Sequence, residues 1–331
     1  MQGDGKDGPP AAGAPGGGMA VDRVAIVGGA GFIGDALARA WIARGAHVVV
    51  TSRSGKGAAG AERVRWNPAL EATPAQVVES TIVYNLAGEN IGASRWSAAK
   101  RAALRDSRIV TTGQLVQSLT PGTRVLVNAS AISAYPGDGS HHAEGALVEP
   151  GRDASFIQGM TFDWERAALA AAQPTRVVVA RIGMVIGAEG MLSGVLPLFR
   201  ARIARSLGSP DAPVPWIDVR DVVRLLVFVA ENENARGPMN FTSPRPVSFA
   251  VFSAHVQRLL GRRSLTGLPA WFIRLLLGRD AACLVLARHV APPERALALG
   301  FSFEELDLER AIARALGLPL PGAATAATPG P

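Results

Sequence analysis

Val24-Ala-Ile-Val-Gly-Gly-Ala-Gly-Phe-Ile-Gly34 is a short apolar run that leads directly into a glycine-rich turn. The segment that follows, Asp35–Gly45, has a helix-compatible pattern, so the sequence predicts a strand, a turn and a helix in succession. The turn matches GxGxxG from Gly29 and GxxGxxG from Gly28. In such a unit the glycines permit a tight turn, a close approach of backbone to a pyrophosphate and close packing of helix on strand. We therefore predict a dinucleotide site at the helix start, formed by Gly28, Gly31, Phe32, Ile33 and Gly34.

Strands and helices alternate along the next part of the chain. Further strands are predicted at 46–51, 81–87, 124–129 and 175–181, and helices at 97–119 and 156–172. This alternation predicts an α/β fold with a Rossmann-like, doubly wound parallel sheet whose strands are buried on both faces. The later part of the chain predicts a small, mainly helical C-terminal domain, with helices at 249–260, 270–277, 280–289 and 306–316.

Composition divides the chain into four predicted segments. Both ends are rich in Gly, Pro and Ala, and glycine and proline also interrupt the pattern between 187 and 215. We predict a disordered tail at 1–21, an NAD(P)-binding Rossmann domain at 22–245 with substrate-side insertions around 186–215, a helical domain at 246–318 and a second disordered tail at 319–331.

The bulk composition excludes some classes of protein. The 331 residues are 48% hydrophobic and 18% charged, which is typical of a folded globular chain. The apolar runs are shorter than the roughly 18 residues that span a bilayer. Residues 1–19 contain no apolar signal core. We therefore expect a cytoplasmic protein with no membrane partner.

Neither nucleic acid nor a metal ion is expected as a partner. The net charge of +7 comes from basic residues that are spread along predicted helices and not gathered with aromatic residues. His141, His142 and Glu144 lie in a Gly-containing loop without a third ligand at regular spacing. A solvated basic surface and no metal site are the simpler interpretations.

The end of the second predicted strand indicates which dinucleotide is bound. An NAD site of this kind usually places Asp or Glu there to accept a hydrogen bond from the ribose 2′-hydroxyl. Here His47–Thr51 is followed by Ser52, Arg53 and Ser54, with Lys56 beyond. A carboxylate that would repel a 2′-phosphate is absent, and a guanidinium that can bind one is present. We therefore predict NADP(H) as the cofactor, against the alternative that Arg53 is only an exposed loop residue.

Further segments give the chain a specific family resemblance. They are Asn85–Ile91, Arg95-Trp96, Ser107-Arg108, Ala129–Ala131 with Tyr135, Trp164-Glu165, Arg181–Gly187, Trp216-Ile217 with Asp221, and Gly300-Phe301. Through these segments and the glycine turn, the chain resembles the extended and atypical short-chain dehydrogenase/reductase superfamily. Within it, the chain is similar to the epimerase-like branch related to human epimerase family protein and its bacterial counterparts. The resemblance spans residues 22–317 and implies a dinucleotide-binding domain followed by a small helical domain of unknown function.

The resemblance implies cofactor contacts at the ends of two strands. Ser52 and Arg53 would hold the 2′-phosphate. Leu86 and Ala87 would line the path of the adenine and ribose, with Gly88 beside them. These positions agree with the general rule that open α/β sheets bind ligands at the carboxyl ends of their strands.

Three more residues are assigned to the site in the same way. Arg108 would reach toward the cofactor or the substrate, and a surface salt bridge is the alternative for an isolated helical arginine. Arg181 and Gly183, at the carboxyl end of a predicted strand, would border the nicotinamide.

The proton-transfer pair of the superfamily is missing. Its enzymes use Tyr-x-x-x-Lys on one helix, where the lysine lowers the pKa of the tyrosine and the tyrosine exchanges a proton with the substrate oxygen. This chain has only Tyr84 and Tyr135, and the residue four positions beyond each is glycine. Aligned through the helix at 156–172, Ser155 and Gly159 take the places of the pair, and neither has the required chemistry.

Other side chains are candidates for that role. Ser130 follows the strand predicted at 124–129 and could hydrogen-bond a carbonyl oxygen, or simply cap the strand end. Tyr135 lies in the next loop, where it could donate a proton or act as a packing aromatic; without a neighbouring cation its pKa is expected near the ordinary value of about 10. Asp163 and Glu165 are on the following helix, where exposure to solvent is the common case.

Two functions follow from these observations. The first is an NADP(H)-dependent reductase or epimerase-like enzyme acting on a small carbonyl or hydroxyl compound, with Ser130 and Tyr135 as catalytic candidates and an unconventional donor or water supplying the proton. The second is a non-catalytic protein that binds NADP(H) as a sensor. A homodimer is also considered, because helices of doubly wound domains often pair between subunits.

Overall fold

The computed structural model describes residues 23–92, 96–142, 144–145 and 147–321. The predicted tail at 1–21, and residues 322–331 of the predicted tail at 319–331, lie outside the described residues, as does Arg95. The strands are β1 Arg23–Val27, β2 His47–Ser52, β3 Glu62–Arg65, β4 Ile82–Asn85, β5 Val125–Ala131, β6 Asp138–His141, β7 Arg176–Ile182, β8 Met184–Ile186, β9 Pro213–Val214, β10 Trp216–Asp218, β11 Gly237–Phe241, β12 Val247–Ser248 and β13 Arg288–Val290. The helices are α1 Phe32–Ala43, α2 Ala75–Val78, α3 Ala98–Ser118, α4 Phe156–Leu169, α5 Met191–Arg200, α6 Val219–Glu231, α7 Phe249–Leu259, α8 Ala270–Leu277, α9 Arg279–Leu286, α10 Glu294–Ala298 and α11 Leu308–Ala315.

A parallel sheet organises the described chain. Its seven strands lie in the order β11-β7-β5-β4-β1-β2-β3, and every neighbouring pair is parallel. The chain order reverses between β1 and β4, so the carboxyl ends of these two strands form a topological switch point. The predicted Rossmann-like doubly wound fold is confirmed.

Each strand of the sheet centre is buried on both faces. In β1, Val24 and Ile26 join the apolar cluster that includes Trp41 of α1 and residues of α6. Ala25, which points to the opposite face, joins the cluster that includes Leu115 of α3. The continuous apolar character of the predicted strands is explained by these two helical layers.

The later helices pack around the segment between β8 and β10. Phe252 of α7 and Ile312 of α11 share one apolar cluster with Phe199 of α5. Ile273 of α8 and Ala282 of α9 share another with Leu207. The predicted helical C-terminal region is therefore confirmed, whereas the boundary at residues 245 and 246 stays a prediction. Within the described part of the chain, no helix is both long and apolar enough to cross a bilayer.

The edges of the sheet and one helix end differ from the prediction. The edge strands β3 and β11 are not predicted by the sequence. In β3, two exposed arginines alternate with the partly buried Glu62 and Val64, so no apolar run marks the strand. The helix predicted at 280–289 ends at Leu286, and the chain continues as β13, which pairs in parallel with β6. Here the strand pairing overrides the local helical pattern.

His289 of β13 links folding stability to pH. Burial lowers the pKa of His289 to about 4. The folded protein therefore favours the neutral imidazole, whereas the unfolded chain takes up a proton near pH 6.5. As the pH falls from 6.5 to 4, the unfolded state binds more protons and the free energy of unfolding decreases, by about 2 kcal/mol from this group.

We predict that His289→Asn removes this contribution. Urea unfolding measured between pH 7 and 4 should give a shallower decrease of the unfolding free energy in the variant than in the unchanged protein. Equal slopes for the two proteins would show that the environment of His289 does not favour its neutral form.

Candidate functional site

The glycine turn after β1 is fixed by the close approach of three segments. Gly28 has a φ of +79°, and a Cβ on it would lie 2.8 Å from the backbone of Leu86 and Ala87. A Cβ on Gly34 would lie 2.6 Å from Cα of Gly29. The turn can therefore carry no side chain at Gly28 or Gly34 without moving the chain that follows β4 or the turn itself.

The start of α1 presents backbone N–H groups without a side-chain cap. Gly31 is the N-cap residue and makes no capping hydrogen bond. The first N–H groups of an α-helix have no partner within the helix, and its positive dipole end favours an anion.

The side chains of Phe32 and Ile33, at the start of α1, differ in their surroundings. A Cβ on Gly187 would lie 2.2 Å from Cζ of Phe32, so that ring lies against the segment after β8, whereas Ile33 packs against the core.

The end of β2 carries an exposed cation. Ser52 Oγ donates to the backbone oxygen of Lys56 at 2.7 Å. The Arg53 side chain is 74% exposed, and its Nη2 lies 3.3 Å from Oε2 of Glu89. Glu89 also accepts a hydrogen bond from Nζ of Lys100 at 2.9 Å, and this bond is the main reason that the pKa of Glu89 is below its ordinary value. Among the described residues, Arg53 is thus held by a single carboxylate, and that carboxylate has a second cationic partner.

Arg108 supports the loop that follows β4. Its Nη2 donates to the backbone oxygen of Glu89 at 3.2 Å, and its guanidinium lies 5.2 Å from the ring centre of Trp164. A Cβ on Gly88 would lie 3.1 Å from Arg108 Cζ. Burial lowers the pKa of Arg108 to about 10. The alternative of a surface salt bridge is wrong, because the guanidinium is packed beneath the loop.

Leu86 and Ala87 contribute the apolar part of that loop. Both are partly buried, and they pack against the clusters on opposite faces of the sheet. The buried Asn85 directly before them holds the loop from below: its Oδ1 accepts a hydrogen bond from Ala87 N at 3.3 Å, and its Nδ2 donates to Asn128 Oδ1 at 2.7 Å. The sequence assigned no role to Asn128, although an amide in a buried strand is a signal for such a bond.

A buried polar network lies at the carboxyl ends of β5 and β7. Arg181 donates from Nε to Oε1 of Glu165 at 2.8 Å and from Nη2 to Oε2 at 2.7 Å, which makes a bidentate ion pair. Ser130 Oγ donates to the same Oε1 at 2.6 Å. Arg181 Nη1 donates to the Tyr135 hydroxyl at 2.9 Å, and that hydroxyl donates to Asn240 Oδ1 at 2.8 Å. The side chains of Ser130, Tyr135, Glu165, Arg181 and Asn240 are all buried.

This network corrects two sequence expectations. Glu165 is not an exposed helix carboxylate: its exposure is 0% and it neutralises Arg181. Asp163, two residues earlier on α4, does face outward and pairs with Arg105 and Arg166. Tyr135 has a neighbouring cation, since the Arg181 guanidinium lies 4.7 Å from its ring centre. Burial nevertheless raises the pKa of Tyr135 above the ordinary value, and Arg181 opposes this rise.

The protons of both candidate catalytic hydroxyls are engaged inside the protein. The Ser130 proton is directed to Glu165 and the Tyr135 proton to Asn240. Arg181 pairs in register with Ser130 across β5 and β7, but its side chain points into this network. Gly183 marks a close approach of backbones, because a Cβ there would lie 2.2 Å from the backbone oxygen of Pro215. The cofactor contacts assigned to Arg181 and Gly183 stay predictions.

The residues considered for a metal have other partners. His141 Nε2 lies 3.0 Å from Oε1 of Glu294. Glu144 accepts hydrogen bonds from the backbone N–H groups of Asn240 and Arg295. Within the described residues, no group of three or more His, Cys, Asp or Glu side chains is arranged to hold a metal ion.

Comparison with known proteins identifies two family models along the chain. Residues 24–241 match the NAD dependent epimerase/dehydratase family, and residues 268–315 match a domain of unknown function. An epimerase family protein of Mycobacterium leprae is 34% identical over 301 residues, covering 89% of this chain and 96% of that protein. Human epimerase family protein is 33% identical over 294 residues, covering 86% of this chain and 97% of that protein.

Solved structures show the same similarity. A crystal structure of human epimerase family protein with NADPH is 30% identical in sequence and has a TM-score of 0.77. The match covers 89% of this chain and 100% of that one. UDP-glucose 4-epimerase from Thermotoga maritima, solved with UDP-glucose, is 16% identical with a TM-score of 0.69, covering 89% of this chain and 97% of that one. At this identity the second similarity is one of fold alone.

The buried ion pair gives a prediction about stability. Glu165→Gln keeps the size of the side chain but leaves the Arg181 charge uncompensated in the interior. We expect the free energy of unfolding in urea to decrease by about 3–5 kcal/mol.

The matched control is Asp163→Asn on the same helix, which breaks exposed ion pairs and should cost less than about 1 kcal/mol. A Glu165→Gln protein as stable as the control would contradict the assignment of a buried, charged pair.

Proposed function

Because the chain belongs to the NAD dependent epimerase/dehydratase family, we propose that it binds NADP(H) and is an oxidoreductase for a small carbonyl or hydroxyl compound. The observation that carries the proposal is the exposed Arg53 at the end of β2, beside the switch point of the sheet. The NADPH in the human relative's crystal structure supports the same cofactor.

The described residues fit a dinucleotide phosphate. The turn excludes side chains at Gly28 and Gly34, which leaves backbone at the place where a pyrophosphate would lie against α1. Gly31 caps the helix without a side chain, so no side-chain cap occupies the N–H groups of the first turn. The carboxylate in that turn, Asp35, pairs with Arg39. The N–H groups of Gly28 and Gly31 donate to the backbone oxygens of Thr51 and Gly28, so these two glycines would give the pyrophosphate room to approach the backbone. The N–H groups at the start of α1, from Phe32 to Gly34, would hold it.

Arg53 would select the 2′-phosphate. A dianionic phosphate is a stronger partner for a guanidinium than the single carboxylate of Glu89. Glu89 keeps Lys100 as its partner when Arg53 turns away, so the exchange does not leave an unpaired carboxylate. Ser52 stands next to Arg53, and its hydroxyl would exchange its bond to the Lys56 carbonyl for one to the phosphate.

The chemistry of the site differs from that of a Tyr-x-x-x-Lys enzyme. When bound, the nicotinamide would supply a hydride to a carbonyl carbon or accept one from an alcohol. Ser130 and Tyr135 direct their protons to Glu165 and Asn240, so neither hydroxyl is a ready donor for the substrate oxygen. We propose that water supplies that proton and that the network fixes the carboxyl ends of β5 and β7 around the reacting groups.

A second function is favoured by the same network. Five buried side chains satisfy one another without a substrate, which is the state expected of a structural unit. On this interpretation the protein binds NADP(H) as a sensor and performs no reaction.

Arg53→Ala tests the cofactor proposal. Loss of charge-assisted hydrogen bonds to the 2′-phosphate should weaken NADPH binding by roughly tenfold to a hundredfold, with NADH binding unchanged. Fluorescence titration with both nucleotides measures the two affinities. The control is Arg39→Ala, which removes a different exposed arginine, on α1, and should alter neither affinity. Equal affinities of the unchanged protein for NADPH and NADH would overturn the NADP(H) assignment.

A screen of carbonyl compounds separates the two functions, and the variants Ser130→Ala and Tyr135→Phe identify the proton donor. With water as proton donor, NADPH-dependent reduction of carbonyl compounds should persist in both variants within a few-fold. Loss of a general acid instead costs about 10²–10⁴ in rate, and such a loss would identify one hydroxyl as the donor. If the unchanged protein binds NADPH tightly but reduces nothing in a broad carbonyl screen, the sensor function holds.

A further inference from the structure

Two parts of the chain contain arginine but no acidic residue. Between Glu189 and Asp211, and again between Glu233 and Asp280, the sequence contains neither Asp nor Glu. These stretches lie at α5 with the loop after it, and at α7, α8 and the segments around them. The protein has 34 basic and 27 acidic residues, so much of its basic excess comes from these stretches.

The two stretches are joined in the structure. Leu265 N donates to the backbone oxygen of Arg202 at 2.8 Å, and Arg205 N donates to that of Thr266 at 3.0 Å. Leu207 and Leu268 form an isolated parallel bridge and share an apolar cluster with residues of α8. Arginines that are about 60 positions apart in the sequence are therefore neighbours on one surface.

We define the arginine–leucine surface as these exposed residues of the two stretches. Its members are Arg200, Arg202, Arg205, Arg262, Arg263, Leu265, Trp271, Arg274, Leu275 and Leu276.

Helix α8 exposes large apolar side chains on this surface. Trp271 is 66% exposed and Leu275 is 64% exposed; at i and i+4 they lie on one face of the helix. Arg274 shares that face, and Leu276 beside it is 52% exposed. The opposite face is anchored by the buried Ile273. The exposed tryptophan and leucines are thus presented by a helix whose other side is fixed to the protein.

The arginines of this surface have no carboxylate partner among the described residues. Arg202, Arg262 and Arg263 line one groove with Gly261. None of the six arginines of the surface makes an ion pair in the described part of the chain. By contrast, Arg258, four residues before Arg262, pairs with Glu309. Uncompensated arginines near exposed apolar side chains are complementary to an anionic surface with an apolar interior.

We propose that the arginine–leucine surface binds the headgroup region of an anionic lipid bilayer. Trp271, Leu275 and Leu276 would enter the boundary between headgroups and acyl chains, and the arginines would contact lipid phosphates. Helix α8 has eight residues and cannot cross the bilayer, so the contact is peripheral. The proposal differs from the sequence expectation of no membrane partner and of dispersed basic residues.

The charge of the surface disfavours the other occupants. A second copy of this chain, docked by the same face, would bring two groups of unpaired arginines together. Nucleic acid would pair with the arginines, but it provides no apolar medium for a row of exposed leucines. Lipid satisfies both the charge and the apolar side chains.

Vesicle co-sedimentation of the full chain tests the proposal. The protein should bind phosphatidylcholine vesicles that contain phosphatidylglycerol, should bind vesicles of phosphatidylcholine alone far more weakly, and should be released by high salt. Trp271→Ser with Leu275→Ser, and separately Arg262→Glu with Arg263→Glu, should each lower the partition coefficient by more than about tenfold. All four side chains are exposed, and urea unfolding verifies that both variants stay folded.

The matched controls are Leu70→Ser, the substitution of another highly exposed leucine, and Arg152→Glu, both outside the arginine–leucine surface; neither should change binding. Absence of binding to anionic vesicles, or binding that survives both double variants, overturns the proposal. So does a dimer in size-exclusion chromatography that Trp271→Ser with Leu275→Ser dissociates, since the face would then bind a second copy. Binding of a labelled DNA duplex that outcompetes anionic vesicles would assign the arginines to nucleic acid instead.

Discussion

The close approach of the turn after β1 to the loop after β4 is the constraint on which the rest of the site depends. Gly28 lies against the backbone of Leu86 and Ala87 at a distance that admits no Cβ. This contact joins the two strands at the switch point of the sheet, where the chain leaves in opposite directions. Because α1 must begin immediately beside it, the N–H groups of the helix start and the loop after β4 face the same space. Fold and ligand site therefore follow from one packing requirement.

The second organising interaction is the ion pair of Arg181 and Glu165. Removal of both charges from water is costly, and bidentate geometry together with bonds from Ser130 and to Tyr135 offsets that cost. The pair connects β5, β7 and α4 at the end of the sheet where superfamily enzymes perform proton transfer. The side chains of this network thus hold the sheet end together.

The sequence was informative about the backbone and the apolar core, and uninformative about which polar side chains are buried. The glycine turn predicted its own geometry because only glycine satisfies it, and apolar runs predicted the strands that are buried on both faces. Glu165 was misjudged because a single carboxylate on a helix is usually exposed, and only the packing of α4 on the sheet shows otherwise. A signal was nevertheless present: Arg181 ends an apolar strand, and a buried guanidinium requires a buried counter-charge. Asn240 lies between apolar neighbours in β11 and gives a similar signal.

The loop after β4 and the buried network around Arg181 and Glu165 are also connected physically. Arg108 touches the loop after β4 through the Glu89 carbonyl and α4 through the ring of Trp164. Trp164 Nε1 donates to Thr112, which accepts a hydrogen bond from Asn85 at the end of β4, and the neighbour of Trp164 on α4 is the Glu165 that holds Arg181. A ligand that moves the loop after β4 would therefore act on the same helix that anchors the buried ion pair. This continuity serves an enzyme, where it positions the ends of β5 and β7 around a substrate, and equally a sensor, where it transmits cofactor binding to α4. The contacts thus form an unbroken connection from the loop after β4 through α4 to the ends of β5 and β7.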